Sequence, residues 1–369
     1  MNKTPRIIIS GGGTGGHIFP ALSIANSIKA LCPEAEILFV GAIGKMEMER
    51  VPAAGYRIIG LPVAGLQRSL SPKNLALPFK VIKSVRKAGE IIREFKPDVA
   101  VGVGGYASAP LLWSASHKGI PCLIQEQNSY AGLTNKILAK RAAKICTAYE
   151  GMERFFPADR ILLTGNPIRA EIAPATQAQR EEGYKFYGLD PDKKTLFVVG
   201  GSLGCGTLNR VMRSWVENRA AQADNQVIWQ CGKGYKAGVD AFMEGRSVPN
   251  LFYTDFIKRM DLAYAVSDLL VSRAGAGTIS ELCVAGKATI FVPSPNVAED
   301  HQTHNAMALV NKDAALMVRD ADADAKLLDT VEGLIGDEAR LADLERNILK
   351  LGRKDASEVI AKEVLKLIK

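Results

Sequence analysis

Two glycine-rich segments of the chain have the composition of loops that bind phosphate groups. Residues 11–17 read Gly-Gly-Gly-Thr-Gly-Gly-His, and residues 200–206 read Gly-Gly-Ser-Leu-Gly-Cys-Gly. Each segment follows an apolar run and precedes a stretch with helical spacing of apolar residues, which predicts a helix over Pro20–Leu31 after the first loop. The backbone N–H groups of the loop and of the helix start can therefore meet an anion. Ser202 can add a hydroxyl donor in the second loop. Two such loops predict binding of a nucleotide diphosphate, of an acceptor that carries a pyrophosphate, or of both.

The first glycine loop also satisfies the G-x-G-x-x-G pattern of dinucleotide-binding proteins, through Gly11, Gly13 and Gly16. A dinucleotide site needs an acidic residue at the end of the second strand to bind the ribose, whereas residues 38–41 read Leu-Phe-Val-Gly. A nucleoside-triphosphatase loop needs Gly-Lys-Ser/Thr, and residues 11–17 contain no lysine. A strand-to-helix turn without a ligand would not need five glycines and a histidine. Phosphate binding of another kind is favoured, with a nicotinamide-dependent dehydrogenase as the alternative.

Three titratable residues can carry further chemistry. Glu281 falls one turn into a predicted helix, where a carboxylate can bind both hydroxyls of a ribose; the alternative is an acid that only interacts with the helix dipole. His17 can accept a proton near neutral pH or donate a hydrogen bond to a phosphate. Glu126 is a second candidate base, and its alternative role is to order the loop that follows it.

Strands that alternate with helices would position these residues. Short β-branched runs ended by Gly or Pro alternate with longer stretches of helical periodicity, which indicates βαβ units and parallel sheets. The predicted strands of the first half are Arg6–Ser10, Glu36–Val40, Tyr56–Leu61, Asp98–Val103, Pro121–Gln125 and Lys144–Thr147. Those of the second half are Thr195–Gly200, Gln226–Cys231, Asn250–Thr254, Asp268–Ser272, Thr289–Pro293 and Ala315–Arg319.

Both halves open with a strand, a glycine loop and a helix, which predicts an α/β fold of two Rossmann-like, doubly wound domains facing each other across a cleft. The boundary is predicted at Gly165, before the polar, helix-prone residues 176–185. The first domain then comprises residues 1–165 and the second residues 166–354. Residues 355–369 form a predicted amphipathic helix, which could pack back on the first domain.

Composition excludes several classes of protein. With 369 residues, 47% of them apolar and 23% charged, the chain is neither disordered nor fibrous. Its six cysteines are far apart and it has four histidines, so neither a disulfide framework nor a zinc module is expected. No window approaches the ~18 to 20 apolar residues of a membrane-spanning helix. The first apolar run, residues 7–9, is too short for a signal-peptide core, and a reducing cytoplasm is the expected location.

The positive charge is concentrated in one segment. Residues 66–96 contain eight basic and two acidic residues, so a net +6 of the chain's +8 lies there. Apolar residues recur among these cations at helical spacing, which is the pattern of a surface helix on anionic lipid. Leu111, Leu112 and Trp113 could extend this patch. The predicted membrane patch consists of Leu75, Phe79, Ile82 and Val85 with Lys80, Lys83 and Arg86.

The basic segment has two alternative interpretations. Ordinary core packing with a solvated basic face would give the same periodicity. A nucleic-acid-binding protein could also use the excess charge. The segment lacks interleaved aromatic residues beyond Phe79 and Phe95, and no recognition motif for nucleic acid is present. No nucleic-acid partner is therefore predicted.

The motifs together resemble those of the MurG family of glycosyltransferases. The resemblance spans nearly the whole chain and includes the glycine loops, residues 104–106, 126–128, 131–135 and 165–169, and the segments 273–281 and 300–305. It implies a GT-B fold and inverting transfer of N-acetylglucosamine from UDP-N-acetylglucosamine to the C4 hydroxyl of undecaprenyl-pyrophosphoryl-N-acetylmuramyl-pentapeptide. It also implies a peripheral enzyme on the cytoplasmic face of the inner membrane, with no required metal and no cofactor. Glycosyltransferases that act on other lipids or on small aglycones are the alternative.

The resemblance also implies which residues bind the donor. Ile257 would read the uracil through its backbone, and Gln302 would contact the hydroxyls of N-acetylglucosamine. Arg169 or Arg273 could stabilise the charge on the leaving phosphate. The full implied donor set is Thr14, Gly15, Gly16, Asn128, Arg169, Ser202, Ile257, Arg273, Ala276, Thr278, Glu281 and Gln302.

Three residues depart from the pattern of the best-known members. Leu203 stands where glutamine is common, so a side-chain contact to the donor would be lost while backbone donation from that loop survives. Gln125 stands where a histidine often precedes Glu126, and His301 where a paired glutamine can occur. The last two are interpreted as tolerated variation.

Overall fold

The computed structural model describes residues 4–63, 77–201 and 203–368 of the chain, without the side chains of residues 77–79 and 298. In the first half, continuous apolar runs form buried strands, and these alternate with helices. The strands are β1 (Arg6–Ser10), β2 (Glu36–Ala42), β3 (Arg57–Leu61), β4 (Val99–Gly102), β5 (Cys122–Glu126), β6 (Lys144–Thr147) and β7 (Ile161–Leu163). The helices are α1 (Gly15–Leu31), α2 (Glu47–Ala53), α3 (Leu77–Phe95), α4 (Ser108–His117) and α5 (Leu133–Ala139).

The second half repeats this alternation. Its strands are β8 (Thr195–Val199), β9 (Gln226–Gln230), β10 (Leu251–Thr254), β11 (Leu269–Ser272), β12 (Thr289–Phe291) and β13 (Leu316–Met317). Its helices are α6 (Gln177–Tyr187), α7 (Gly206–Asn218), α8 (Lys236–Met243), α9 (Met260–Val266), α10 (Ala276–Ala285), α11 (His301–Val310), α12 (Ala323–Ile335) and α13 (Glu338–Leu349), and α14 (Ala356–Lys366) follows.

Each half forms one parallel sheet. The first sheet has the strand order β3-β2-β1-β4-β5-β6-β7, and the second has the order β10-β9-β8-β11-β12-β13. Crossover helices cover the sheets, which explains why the strands are buried apolar runs rather than alternating patterns. The two Rossmann-like sheets confirm the predicted α/β fold class. In such sheets the loops that follow the carboxyl ends of neighbouring strands share one edge.

The chain divides into two compact units. Unit 1 comprises Met1–Ile168 and Lys354–Lys369, and unit 2 comprises Arg169–Arg353. The division falls after Ile168, whereas the sequence placed it after Gly165. Helix α14 packs against α1, and its residues Ile360, Ala361 and Val364 lie in the same buried cluster as strand β1.

Two elements differ from the sequence prediction. The short strand β7 was not predicted, and it adds an edge strand beside β6. Helix α1 begins at Gly15 rather than at the predicted Pro20, so Gly15, Gly16 and His17 form its first turn. Within the residues that the structure describes, no helix is long and apolar enough to cross a membrane.

Candidate functional site

The first glycine loop joins β1 to the start of α1. Thr14 is the N-cap residue of α1 in an extended conformation, and the first turn of the helix contains no acidic residue. The His17 amide donates to the Thr14 carbonyl at 3.1 Å, whereas the amides that precede it at a helix start have no acceptor within their own helix. The helix dipole adds partial positive charge at this end. Thr14 and Gly16 are exposed. This end of α1 can therefore bind an anion.

The glycines at the base of this loop are required by packing within the protein. A Cβ on Gly12 would come within 2.3 Å of the Glu47 carboxylate, and one on Gly11 within 2.9 Å of the Ala21 side chain. Gly105 has a φ of +89°, and its Cβ would lie 2.3 Å from the Gly12 carbonyl oxygen. Close contacts inside unit 1 thus explain why glycine stands at these positions. A phosphate would instead approach the start of α1.

Glu47 stabilises the first glycine loop through its buried carboxylate. Its side chain is only 1% exposed, and its carboxylate accepts hydrogen bonds from the Gly13 amide, at 2.9 Å, and from the Ala42 amide, at 2.9 Å. The Gly13 N–H is thereby used inside the protein, which leaves anion binding to the amides of the helix start. The sequence did not indicate this role, because Glu47 is 34 residues from Gly13 and belongs to no motif.

Replacing Glu47 with alanine is expected to lower the free energy of unfolding by about 2–4 kcal/mol, because the buried Ala42 amide and the partly buried Gly13 amide would lose a charged acceptor. Urea denaturation would measure this loss. Glu49→Ala is the matched control, since Glu49 lies in the same helix and is exposed. Equal stability of the two variants would contradict the supporting role of Glu47.

His17 lies between the first glycine loop and the segment after β4. Its Nδ1 is 3.1 Å from the Gly12 carbonyl oxygen, which can only accept, so Nδ1 carries a proton in this contact. In a neutral imidazole the lone pair is then on Nε2. The ring packs against Gly104, where a Cβ would come within 2.6 Å of Cδ2. Nδ1 is also 3.4 Å from the Thr14 hydroxyl, and the shorter contact with the Gly12 carbonyl favours the tautomer that carries the proton on Nδ1.

Glu126 is surrounded by hydrogen-bond donors. One carboxylate oxygen accepts from the amide and the side chain of Asn128, at 3.1 and 3.3 Å, and the other accepts from the Gly132 amide and the Asn135 side chain, at 3.2 and 2.8 Å. Burial raises the pKa of Glu126, while these hydrogen bonds oppose the rise. Of the two roles left open by the sequence, the contacts favour ordering the loop after β5.

Gln125 takes part in a buried network. Its Nε2 donates to Oδ1 of Asn166 at 2.8 Å, and Nδ2 of Asn166 donates to the Gln127 carbonyl at 3.0 Å. Gln127 in turn donates to the Val103 carbonyl at 2.7 Å. A glutamine at position 125 therefore has a structural explanation, because its amide joins β5 to the segment 165–167.

In unit 2 the second glycine loop joins β8 to α7. Gly204 has a φ of +79°, and a Cβ there would lie 2.1 Å from the Cys231 carbonyl oxygen, so the loop packs on the segment after β9. Cys205 caps α7 by accepting a hydrogen bond from the Leu208 amide. The side chain of Leu203 is 80% exposed. Ser202 lies outside the described residues.

The start of α10 brings several predicted residues together. Gly275 is the N-cap residue, and Ala276 and Thr278 lie in the first turn. Glu281 follows in the second turn and is buried. Its Oε1 is 3.3 Å from Nε of Arg169, and its Oε2 accepts a hydrogen bond from the Tyr264 hydroxyl at 3.1 Å. Burial raises the pKa of Glu281, and the Arg169 charge is the main opposing influence.

Arg273 is engaged within unit 2. Its Nη1 donates to the carbonyls of Val292 and Pro293, at 2.8 and 3.0 Å, and its Nη2 lies 2.6 Å from Asp320. These contacts join β11, β12 and the segment before α12. Of the two arginines proposed to stabilise the leaving phosphate, Arg169 is the more exposed, and the geometry favours it.

Ile257 and Gln302 both belong to unit 2. Ile257 lies in the loop between β10 and α9, and Gln302 lies in α11. Ile257 is buried. Gln302, in the first turn of α11, accepts a hydrogen bond from the Ser294 amide at 2.9 Å. This contact fixes the side chain of Gln302 against the loop after β12.

Helix α3 presents an apolar and basic face to solvent. Val81 and Ile82 are 51% and 56% exposed, and Val85 is half-buried. Lys80, Lys83 and Arg86 are exposed beside them. Of the remaining patch residues, Leu75 lies outside the described residues, and Phe79 falls within α3 with its side chain undescribed. Leu111 and Leu112 are buried in the core, so of the residues 111–113 only Trp113 is exposed.

Comparisons with known proteins agree over almost the entire chain. The N-terminal domain of glycosyltransferase family 28 matches residues 7–147, and the C-terminal domain of that family matches residues 195–360. A relative from Parabacteroides distasonis, named UDP-N-acetylglucosamine–N-acetylmuramyl-(pentapeptide) pyrophosphoryl-undecaprenol N-acetylglucosamine transferase, is 55% identical over 98% of each chain. A Bacteroides fragilis protein of the same name is 56% identical over 98% of this chain and 95% of its own. The crystal structure of Acinetobacter baumannii MurG has a TM-score of 0.80 and 25% identity, covering 99% of this chain and 100% of that one.

Proposed function

The chain belongs to glycosyltransferase family 28 and, within it, to the MurG transferases, and from this premise we propose its reaction. It transfers N-acetylglucosamine from UDP-N-acetylglucosamine to the C4 hydroxyl of undecaprenyl-pyrophosphoryl-N-acetylmuramyl-pentapeptide, which yields the lipid-linked disaccharide precursor of peptidoglycan. The observation that carries the proposal is the 55% identity to a relative with this named activity over 98% of both chains.

The reaction requires a base and a means of stabilising the leaving group. We propose that Nε2 of His17 accepts the proton of the acceptor hydroxyl as the oxygen attacks the anomeric carbon opposite the departing UDP. The tautomer set by the Gly12 carbonyl supports this role. The charge that develops on the departing phosphate is stabilised by helix-start amides and by Arg169, because preorganised donors act strongly where charge develops.

We propose the following contacts with the donor. Glu281 binds the ribose hydroxyls, the Ile257 backbone reads the uracil, and Gln302 contacts the sugar hydroxyls. Asn128 is positioned for its role by its contact with Glu126. The other donor contacts are Thr14, Gly15, Gly16, Ser202, Ala276 and Thr278.

Acceptor-dependent release of UDP is the direct test of this function. Purified protein would be incubated with UDP-N-acetylglucosamine, with and without the lipid-linked muramyl-pentapeptide, and disaccharide formation would be followed by mass spectrometry. We expect UDP release to require the acceptor. Release with a different lipid or a small aglycone, and none with this acceptor, would contradict the proposed substrate.

We further propose that the enzyme works as a peripheral protein on the cytoplasmic face of the cell membrane. The exposed apolar and basic face of α3 supports this location, because cations beside exposed apolar residues favour an anionic lipid surface. A cavity of about 480 Å³ is also lined mostly by apolar and basic residues. It is formed by α4, which packs on α3, together with α5 and the residues that follow it. Its lining residues are Trp113, Ser116, Lys136, Ile137, Leu138, Lys140 and Arg141.

Reversing two charges of this face is expected to weaken binding to anionic vesicles by about tenfold or more, because each cation near such a surface contributes about 1 kcal/mol. The variant is Lys83→Glu with Arg86→Glu, and co-sedimentation with anionic and neutral liposomes measures the change. Lys185→Glu with Lys193→Glu is the matched control, since both residues are exposed in unit 2. Equal binding of both variants, or no preference of the unmodified protein for anionic vesicles, would contradict the membrane assignment.

A further inference from the structure

The carboxylate of Glu281 is held from two sides by residues of unit 2. Oε2 accepts a hydrogen bond from the Tyr264 hydroxyl at 3.1 Å, and Oε1 lies 3.3 Å from Nε of Arg169. Arg169 is half-exposed, whereas Tyr264 is 3% exposed. The tyrosine is therefore the rigid partner of this pair, and its hydroxyl can fix the plane of the carboxylate.

The ring of Tyr264 is itself fixed by the core. It lies in α9, between buried neighbours, and its centroid is 6.2 Å from the Phe197 ring of β8. A buried tyrosine hydroxyl needs a hydrogen-bond acceptor, and Glu281 supplies it. Because the phenol ring cannot turn without disturbing the core packing, the hydroxyl holds one position whether or not a ligand is bound.

Two contacts leave the carboxylate with capacity for a diol. Each carboxylate oxygen can accept about two hydrogen bonds, and Tyr264 and Arg169 each use one of them. The second lone pair on each oxygen can then receive one of two neighbouring hydroxyls. Such bidentate binding requires an ionised carboxylate in a fixed orientation.

Electrostatics point to the same role for the tyrosine. Burial raises the pKa of Glu281, and the nearby Glu171 carboxylate raises it further, while the Arg169 charge and the Tyr264 hydrogen bond lower it. Without the phenol, the carboxylate would lose a contact that favours its ionised form. Protonated Glu281 has one oxygen that donates, so it binds a diol less well.

We propose that Tyr264 is a positioning residue for the nucleotide donor, holding Glu281 so that its two carboxylate oxygens receive the 2′ and 3′ hydroxyls of the ribose. This inference rests on the proposed ribose-binding role of Glu281. It makes the pair Tyr264 and Glu281 the part of the site that distinguishes a ribonucleotide from a deoxyribonucleotide.

Calorimetric titration with UDP and with 2′-deoxy-UDP tests the inference. We expect the unmodified protein to prefer UDP by about tenfold, the worth of a hydrogen bond to a charged group. Tyr264→Phe is expected to weaken UDP binding by about fivefold to tenfold and 2′-deoxy-UDP binding by about twofold or less, so that the preference shrinks. Glu281→Gln should reduce the preference in the same way.

Tyr187→Phe is the matched control, because it tests whether general loosening of helix α9 could explain the effect of Tyr264→Phe. Tyr187 is also buried, and its hydroxyl donates to the carbonyl of Arg259, the N-cap residue of α9, at 2.9 Å. This variant removes a tyrosine hydroxyl that contacts the same helix without touching Glu281. We expect it to keep the full preference for UDP.

The pH dependence of UDP binding supplies a second measurement. Binding should weaken as falling pH protonates Glu281, and in Tyr264→Phe this decline should begin at a higher pH. Arg169, Glu171 and Tyr264 are the ionisable groups that act on this carboxyl group, and the variant changes only one of them. An unchanged profile would contradict the inference.

The possible results distinguish the positioning role of Tyr264 from the ribose-binding role of Glu281. If Glu281→Gln loses the preference for UDP and Tyr264→Phe retains it, the positioning role of Tyr264 is wrong and the ribose role of Glu281 stands. If the unmodified protein shows no preference for UDP over 2′-deoxy-UDP, both roles are wrong. The transferase activity is tested separately by acceptor-dependent UDP release.

Discussion

Replacing His17 with alanine is expected to lower kcat by about 10²-fold or more, because a positioned general base contributes about that much. The KM for UDP-N-acetylglucosamine should change little, since the loss concerns proton transfer from the acceptor. Steady-state rates with both substrates varied would measure the two effects. Near-normal turnover of the variant would contradict the assignment of His17.

His117→Ala is the matched control for this prediction. His117 is an exposed histidine of unit 1 whose Nδ1 also lies near a backbone carbonyl, that of Trp113, at 2.8 Å. Its removal tests whether loss of any imidazole in the unit affects turnover. We expect this variant to keep the turnover of the unmodified protein.

The pH profile of kcat separates the two roles of His17 that the sequence left open. A base must be neutral before it accepts the proton, so activity should fall toward acidic pH. If His17 instead donates a hydrogen bond to a phosphate of the acceptor substrate, it is most effective as the imidazolium. Activity should then fall toward alkaline pH. Because Nδ1 carries a proton in both forms of the ring, its contact with the Gly12 carbonyl is compatible with either role, and the direction of the pH profile decides between them.

Replacing Glu126 with alanine is expected to lower the free energy of unfolding by about 3 kcal/mol or more, because four donor contacts would lose their charged acceptor. Turnover should fall with it, since Asn128 and the loop before α5 would lose their anchor. Urea denaturation and hydrogen exchange of residues 127–135 would show the loosening. Loss of turnover at unchanged stability would instead indicate that Glu126 acts as the base.

Glu153→Ala is the control for Glu126, because Glu153 is an exposed glutamate of unit 1. A change of less than about 0.5 kcal/mol is expected for such a surface position. A further variant, Glu126→Gln, retains the shape of the side chain. This variant should also be destabilised, because its NH₂ group replaces one acceptor oxygen and would then lie next to a hydrogen-bond donor.

The sequence predicted the sheets well because buried parallel strands are continuous apolar runs ended by Gly or Pro. All twelve predicted strands have counterparts in the described residues, within a few residues at each end. Strand β7 was missed, because its three residues are too few to show a pattern. The start of α1 was placed too late, because glycine has low helix propensity and the first turn of this helix contains Gly15 and Gly16.

The candidate site was predictable only where a motif lies in one stretch of sequence. His17, Glu126 and Glu281 stand in such motifs, whereas Glu47 and Tyr264 act on them from distant parts of the chain. Glu47 is 34 residues from Gly13, and Tyr264 is 17 residues from Glu281. Their contacts depend on how α2 and α9 pack. The engagement of Arg273 with Asp320 is of the same kind, since no local pattern specifies it.

The packing of α14 on α1 has a consequence for how the protein forms on the ribosome. Unit 2 is one continuous stretch, Arg169–Arg353, whereas unit 1 also contains Lys354–Lys369. Domains generally fold as units during synthesis, so we expect unit 2 to be complete before unit 1 gains its last helix. Until then the apolar face of α1 that α14 covers is exposed on the nascent chain. Helix α1 would thus gain the packing partner of this face only after the whole of unit 2 has been synthesised.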